Sequence, residues 1–314
     1  MFQSSDSKIP SNPSFKKVSE WLEIFENDTD LTHRLENIYG NDKDLIKERK
    51  LIFLETLRKF ESLYGPDREV IITRSPCRIN LRGMHSEMQH ATPNYLTHAR
   101  EIVIVAGKRS DDIVVMNNVD NERFVERIFC ISEEMGRGTW GNWLAYIDSP
   151  GVRKTIESNR GDWINYIKAS VLKIQDSFHE VKIKGMDAVA YGDIPQGSGM
   201  ASSSAMVVSS GLACLAINGL SMDRKDFVIS MGNGEWYVGT RGGFGDHGAM
   251  VFGKKGYILH SIFLNIEEMD PEYIPFPEGY QVIIINSYKT SSKSAERLFA
   301  YNRTMFAYGM AMSL

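Results

Sequence analysis

The stretch Pro195-Gln-Gly-Ser-Gly-Met-Ala-Ser-Ser-Ser-Ala205 constrains this chain more than any other. It follows residues 186–195, MDAVAYGDIP, which read as a strand running into a loop, and it opens a helical segment from Ser202 to about Asn218. Glycines allow the backbone to bend tightly and to approach a ligand closely. A helix start offers free N–H groups and the positive end of the dipole, both of which suit a phosphate group. The serine hydroxyls can cap the helix, contact phosphate, or present oxygen to Mg²⁺. No Gly-Lys-Ser/Thr closes the loop, so it is not a Walker A loop. Taken alone, the same composition also describes a plain serine-capped turn.

The rest of the chain supplies mixed elements around this loop. Residues 1–14 are rich in Ser, Pro and Asn, as frayed termini are. The pattern then turns helical from about Phe15 to Tyr64. Leu45, Leu51, Ile52, Leu54, Leu57 and Phe60 are spaced to cover one face of a packing helix. Short β-branched runs predict strands at 68–74, 101–107, 112–118 and 123–131, and a buried strand at 280–287. Helices are expected at 163–178 and 223–237 and in the last segment from Ser294 onward, and a hairpin at 249–263 turning at Gly253–Gly256. No internal repeat interrupts the chain. Separate helices mixed with antiparallel-type strands point to an α+β fold, not to regular βαβα alternation.

Composition excludes several classes. A net charge of −4 lacks the basic footprint of a nucleic-acid binder. The three cysteines, Cys77, Cys130 and Cys214, form no CxxC pair and no metal-ligand spacing, and fit a reducing compartment. No apolar run reaches the ~18 residues that cross a bilayer, and the polar N-terminus lacks a secretory signal. The reading is a soluble, cytoplasmic protein with neither nucleic-acid nor membrane partners.

The loop resembles the central motif of the GHMP kinases, where Pro, three variable residues, Gly and Leu precede a run of small and serine residues. Met200 stands where Leu is usual. Three further segments resemble galactokinases in order and approximate spacing. In Ser75-Pro-Cys-Arg-Ile-Asn-Leu-Arg-Gly-Met-His-Ser-Glu87, the residues Arg78, Asn80, Leu81, Gly83 and His85 match the galactokinase signature. Trp163-Ile-Asn-Tyr-Ile-Lys168 resembles the Trp-x-x-Tyr-x-Lys stretch ahead of the phosphate loop. Glu235-Trp-Tyr-Val-Gly-Thr-Arg-Gly-Gly-Phe-Gly-Asp246 resembles the glutamate, glycine turn and catalytic aspartate, with one residue fewer than the family usually has. Tyr301-Asn302 resembles a later substrate-side tyrosine motif. The resemblance runs from about Tyr64 to the end.

What it implies is a two-domain GHMP kinase with its active site in the cleft between the domains. Residues 1–64 would be a helical extension, 65–240 the ATP-binding N-terminal domain, and 241–314 the start of a C-terminal domain. That second domain is expected to be incomplete, because the family's third, glycine-rich motif is not reached. The implied activity is ATP-dependent phosphorylation of a monosaccharide, at the anomeric hydroxyl as in galactokinases. Asp246 would be the base for the acceptor hydroxyl, with Arg78 beside it stabilising that carboxylate and the transferring phosphoryl group. Gly197, Ser198, Gly199, Ala201, Ser202 and Ser203 would wrap the phosphates of ATP. Ser203 and Glu235 would hold Mg²⁺ through oxygen. His85, Glu87, Gly243 and Tyr301 would face the sugar.

The sugar-side motif departs from galactokinases. They carry Glu at the Met84 position and Asp at the Glu87 position. A sugar hydroxyl left unpaired at Met84 would cost about 1–3 kcal/mol. Arg82 adds a cation near this pocket. These departures open other acceptors: a uronic acid, a heptose or a non-sugar alcohol. A different class of function, a kinase-like sensor of sugar and nucleotide that regulates a partner protein, also stays open, although Arg78 and Asp246 together argue for chemistry.

Overall fold

The computed structural model describes residues 8–10, 12–27, 29–83, 86, 91–138, 141–265, 268–285, 288 and 295–312. The elements in chain order begin with β1 (Lys8–Ile9), β2 (Lys16–Lys17), α1 (Val18–Asn27), α2 (Thr29–Tyr39) and α3 (Lys43–Tyr64). The central part holds β3 (Glu69–Arg82), β4 (Asn94–Lys108), β5 (Ile113–Asn118), β6 (Arg127–Cys130), α4 (Ile131–Met135), α5 (Trp143–Ile147), α6 (Pro150–Ser158), α7 (Ile164–Ser177) and β7 (Met186–Gly192). The remainder holds α8 (Ser202–Ile217), β8 (Met222–Asp223), α9 (Arg224–Glu235), a 3₁₀ turn (Trp236–Val238), α10 (Gly245–Phe252), β9 (Tyr257–Asn265), β10 (Glu268–Pro275) and α11 (Ala295–Met312).

The architecture is mixed, and the larger sheet has the order β10-β9-β4-β7-β5-β6, with β3 pairing β4 and β2 pairing β3. Its pairings are antiparallel except for the parallel β5–β7 pair. β4 explains why this sheet is covered twice. Alternate residues of a strand point to opposite faces. Val103 and Val105 pack with Ile52, Phe53, Leu57 and Phe60 of α3, whereas Ile102, Ile104 and Ala106 pack in the core that contains α7 and α8. Fully burying such side chains stabilises by about 1.5–3 kcal/mol each. The N-terminal helices are therefore one layer of the core. α3 begins at Asp42, whose carboxylate accepts from the amides of Asp44 and Leu45, and it ends at Gly65 with φ +86°.

Several expected elements shift. The strand expected at 68–74 continues to Arg82, and the one at 101–107 starts at Asn94. Of 123–131 only Arg127–Cys130 is strand, and a helix begins at Ile131. The hairpin expected at 249–263 is a helix followed by a strand, and the hairpin formed is β9–β10. Ala249 and Phe252, three residues apart, both enter a core with Tyr95, Val228, Phe244 and Leu259, and this pins residues 245–252 as helix. Gly253 ends it: a Cβ there would lie 2.3 Å from Thr97 Cγ2 and 2.4 Å from the Ala249 carbonyl oxygen. The strand expected at 280–287 does not form over 280–285. No strand pairs with it among the described residues, and Tyr280, Ile283 and Ile285 are exposed. Residues 286–287 lie outside the described residues.

Candidate active site

The loop between β7 and α8 is held open toward a cleft of about 1300 Å³. Gly197 and Gly199 take positive φ, as the turn requires, and so does Ala201 at φ 59°, ψ 44°. A non-glycine residue in this region costs about 1–2 kcal/mol, which the surrounding packing must offset. Left-handed residues alternating along a loop are a backbone pattern of anion-binding concavities. α8 begins directly behind it with no side-chain cap, so the first-turn N–H groups are left for a ligand. The helix is anchored by its own composition. Charge-free and apolar or small on nearly every side, it buries Ala205, Val207, Val208, Leu215 and Ile217 in the main core.

β3 brings Arg78 under this loop. Its backbone N–H donates to the Met200 carbonyl at 3.3 Å, and its Nη1 donates to the Gly199 carbonyl at 2.9 Å. Its Nε donates to Asp246 Oδ1 at 2.7 Å, and Nη2 makes a second contact to the same oxygen. Among the described residues both Arg78 contacts to Asp246 arrive at Oδ1 and none at Oδ2. Arg78 is buried while the Asp246 side chain is 29% exposed and lines the cleft, so the pair is anchored on one side and reachable on the other. Asp246 sits in the first turn of α10, where the helix dipole favours a carboxylate.

Glu235, the last residue of α9, reaches the same cleft. Its Oε2 accepts from Ser204 Oγ at 2.6 Å. The His247 Nε2 lies 3.0 Å from that oxygen but is not aligned for a hydrogen bond, and His247 is buried with neither ring nitrogen hydrogen-bonded among the described residues. Ser203 lines the cleft beside them. A serine hydroxyl and one carboxylate are hard oxygen donors, and Mg²⁺ is commonly held by one or two protein groups plus substrate phosphates. The donor set thus fits that ion. No group of three or more His, Cys, Asp or Glu side chains arranged for a metal occurs among the described residues.

The structure therefore brings Arg78, Gly197, Ser198, Gly199, Ala201, Ser202, Ser203, Glu235, Gly243, Asp246 and Tyr301 to one cleft. Tyr301 arrives on α11, and a Cβ on Gly242 would lie 3.6 Å from its hydroxyl. His85 and Glu87 lie outside the described residues, as does Met84. In the Trp163–Lys168 motif, Trp163 and Tyr166 line the cleft, but Lys168 turns away and pairs with Glu134 at 2.8 Å, both buried. The sequence reading did not single out Ser204 or His247. Their signals were adjacency: Ser204 extends the serine run and His247 follows the aspartate. It also missed the far wall of the cleft, formed by Asn118, Asp120, Arg123 and Phe124, which carries no motif.

The comparisons agree with this picture. Residues 165–254 match the family described as GHMP kinases N terminal domain. The chain is similar to a galactokinase of Candida parapsilosis, 26% identical over 266 residues, covering 83% of this chain and 49% of the relative. It is also similar to a galactokinase of Schizosaccharomyces pombe, 28% identical over 272 residues, covering 82% of this chain and 48% of the relative. In structure it is similar to Lactococcus lactis galactokinase complexed with galactose, with a TM-score of 0.62 and 19% identity over 82% of this chain and 61% of that chain. The loop, the fold and the family match over residues 165–254 all point to similarity with GHMP kinases. The chain is similar to galactokinases in sequence and in fold. It spans about half the length of these two curated relatives. Among the described residues no helix is long and apolar enough to cross a membrane.

Proposed function

We propose that this chain carries the phosphoryl-transfer site of an ATP-dependent kinase that acts on a monosaccharide hydroxyl, the anomeric hydroxyl as in galactokinases. The observation that supports this best is the Arg78–Asp246 pair lying against an uncapped helix N-terminus. Such transfer needs positioning and charge neutralisation more than covalent chemistry. The amides at the start of α8 and the loop around Gly197–Ala201 would receive the ATP phosphates. Asp246 Oδ2 would accept the acceptor's hydroxyl proton or orient it, while Arg78 keeps Oδ1 occupied and balances charge on the moving group. Ser203 and Glu235 would hold Mg²⁺, which when bound offsets negative charge on the phosphates. Gly243 and Tyr301, with His85 and Glu87, are the proposed sugar-side residues. The boundaries 1–64, 65–240 and 241–314 are proposed as the domain division, and the cytoplasm as the location.

The acceptor follows from the sugar-side motif. Met84 cannot accept a hydrogen bond from a sugar hydroxyl and Glu87 extends one methylene further than aspartate, so an acceptor other than galactose, a uronic acid or heptose included, fits this sequence. The test is ATP consumption with Mg²⁺ across a panel of neutral sugars and uronic acids. Turnover that disappears in Asp246→Asn establishes the kinase and names the acceptor. Binding of ATP and sugar without turnover overturns it in favour of a sensor, and good turnover of galactose alone overturns the altered-acceptor reading.

A further inference from the structure

Two guanidinium groups brace this part of the chain, one within the phosphate loop and one just ahead of it. Arg78 holds its middle, the guanidinium donating to the Gly199 carbonyl and the backbone N–H to the Met200 carbonyl. Arg49, on the inner face of α3, holds its start. Arg49 is 1% exposed. Its Nη2 donates to Asp193 Oδ2 at 2.6 Å and its Nη1 to the Ala99 carbonyl at 3.1 Å. Asp193 stands two residues before Pro195, and every polar group it offers is engaged. Its Oδ1 accepts from the Glu101 amide at 3.0 Å, its carbonyl accepts from Arg100 Nη1 at 2.9 Å, and its own N–H donates to the Glu101 carbonyl at 3.3 Å. Glu101 is fully buried and accepts from Tyr39 of α2 at 2.5 Å and from Arg74 of β3. There is no slack beneath this knot: a Cβ on Gly192 would come within 2.3 Å of Ile102 Cδ1 and 2.8 Å of the Glu101 carbonyl oxygen.

A buried ion pair is a weak net stabiliser compared with apolar packing of similar volume, because desolvation cancels most of the attraction. What this arrangement supplies is a fixed position. One branch of the planar guanidinium ties Asp193, just ahead of the loop, to a long helix already fastened in the core, and the other ties the same helix to the Ala99 carbonyl of β4. We propose that Arg49 is a positioning residue for phosphoryl transfer: from α3 it fixes Asp193, and through Asp193 the conformation in which residues 195–203 receive phosphate. This rests on the kinase reading for its ligand, but the loop restraint itself does not. It also gives the N-terminal helices a role at a cleft that none of their described residues lines.

The experiment uses the full chain and compares Arg49→Lys, Arg49→Met and Asp193→Asn with Leu57→Val, a change on the same helix that loosens the core without touching the knot. Amide hydrogen exchange at Asp193 and Glu101, whose N–H groups are both bonded within the knot, is measured first, then ATP affinity. The knot variants are expected to exchange roughly tenfold or more faster at these two amides, with α7 unchanged. They should also raise the ATP KM while kcat stays within about threefold. Leu57→Val should lower the melting temperature and do neither. If Arg49→Met does not fold, Arg49→Lys and Asp193→Asn decide the matter, since each keeps most of the volume and loses the guanidinium–carboxylate contact. Unchanged exchange in both, or equal acceleration in Leu57→Val, overturns the proposal. Faster exchange with unchanged ATP affinity overturns the positioning role. Faster exchange in a chain whose wild type binds no ATP upholds the clamp and overturns the kinase reading.

Discussion

α8 and α11 are helices of similar length, 16 and 18 residues, and both contribute to the cleft, yet they do so in opposite ways. α8 is buried on nearly every side and offers the site its backbone, the unpaired N–H groups of its first turn. α11 leaves Phe299, Phe306 and Met310 exposed and offers only side chains, Leu298 and Tyr301 to the cleft and Asn302 to the glycine turn. The difference teaches where positional accuracy comes from. A phosphate-binding loop must hold many backbone groups at once, and only an element fixed by packing on all sides can do that. A substrate-facing side chain can be delivered by an element that is anchored at a few points.

Four measurements would break or sharpen this contrast, the largest effect first. Asp246→Asn removes the proposed base while leaving the helix and Arg78 in place. Turnover should fall by about 10²–10⁴-fold with ATP binding retained, read from steady-state kinetics and nucleotide titration. Leu215→Ala leaves a cavity in the core around the C-terminal end of α8, since Leu215 is fully buried there. It should cost about 2–5 kcal/mol in chemical denaturation, and a much smaller loss would mean that α8 is not the fixed element described here. His98 supplies a pH-dependent step beside the loop's start. Burial lowers its pKa, with Arg100 acting in the same direction, and its ring nitrogen accepts from the Arg100 amide. A histidine whose folded pKa lies below the usual 6.5 binds its proton more readily when unfolded. Its contribution is therefore complete above about pH 6.5 and is lost as pH falls through the folded value. The stability advantage of wild type over His98→Gln should shrink between pH 7.5 and 5.5. Finally, Phe306→Ser on the exposed side of α11 should change stability by no more than about 0.5 kcal/mol. A large loss there would show that α11 is packed after all.

Much of the site could be read from the chain. The glycines at 197 and 199, the serine run and the following charge-free helix were legible because each is a local requirement: a turn needing positive φ, a helix start, a helix buried all round. Arg78 and Asp246 were legible through the motifs around them. Segment 249–263 was misread because a short apolar run around a glycine pair fits hairpin and helix equally, and packing against Tyr95 and Leu259 decided it. Segment 280–285 was misread because apolar β-branched residues describe a strand's side chains and not its partner, and a strand without a partner leaves its backbone groups unpaired.

The sequence by itself determined the α+β composition and the positive-φ glycine turn that opens α8, since these depend on backbone preferences and on residues close together in the chain, and its motifs marked Arg78 and Asp246 as the proposed reacting residues. Only the tertiary structure decided which charges meet. Arg78 and Asp246 are 168 residues apart, and Arg49 and Asp193 are 144 apart. Hydrogen bonds between such groups form within about 3 Å, and what brings them that close is strand register and helix packing, which no local pattern of residues encodes.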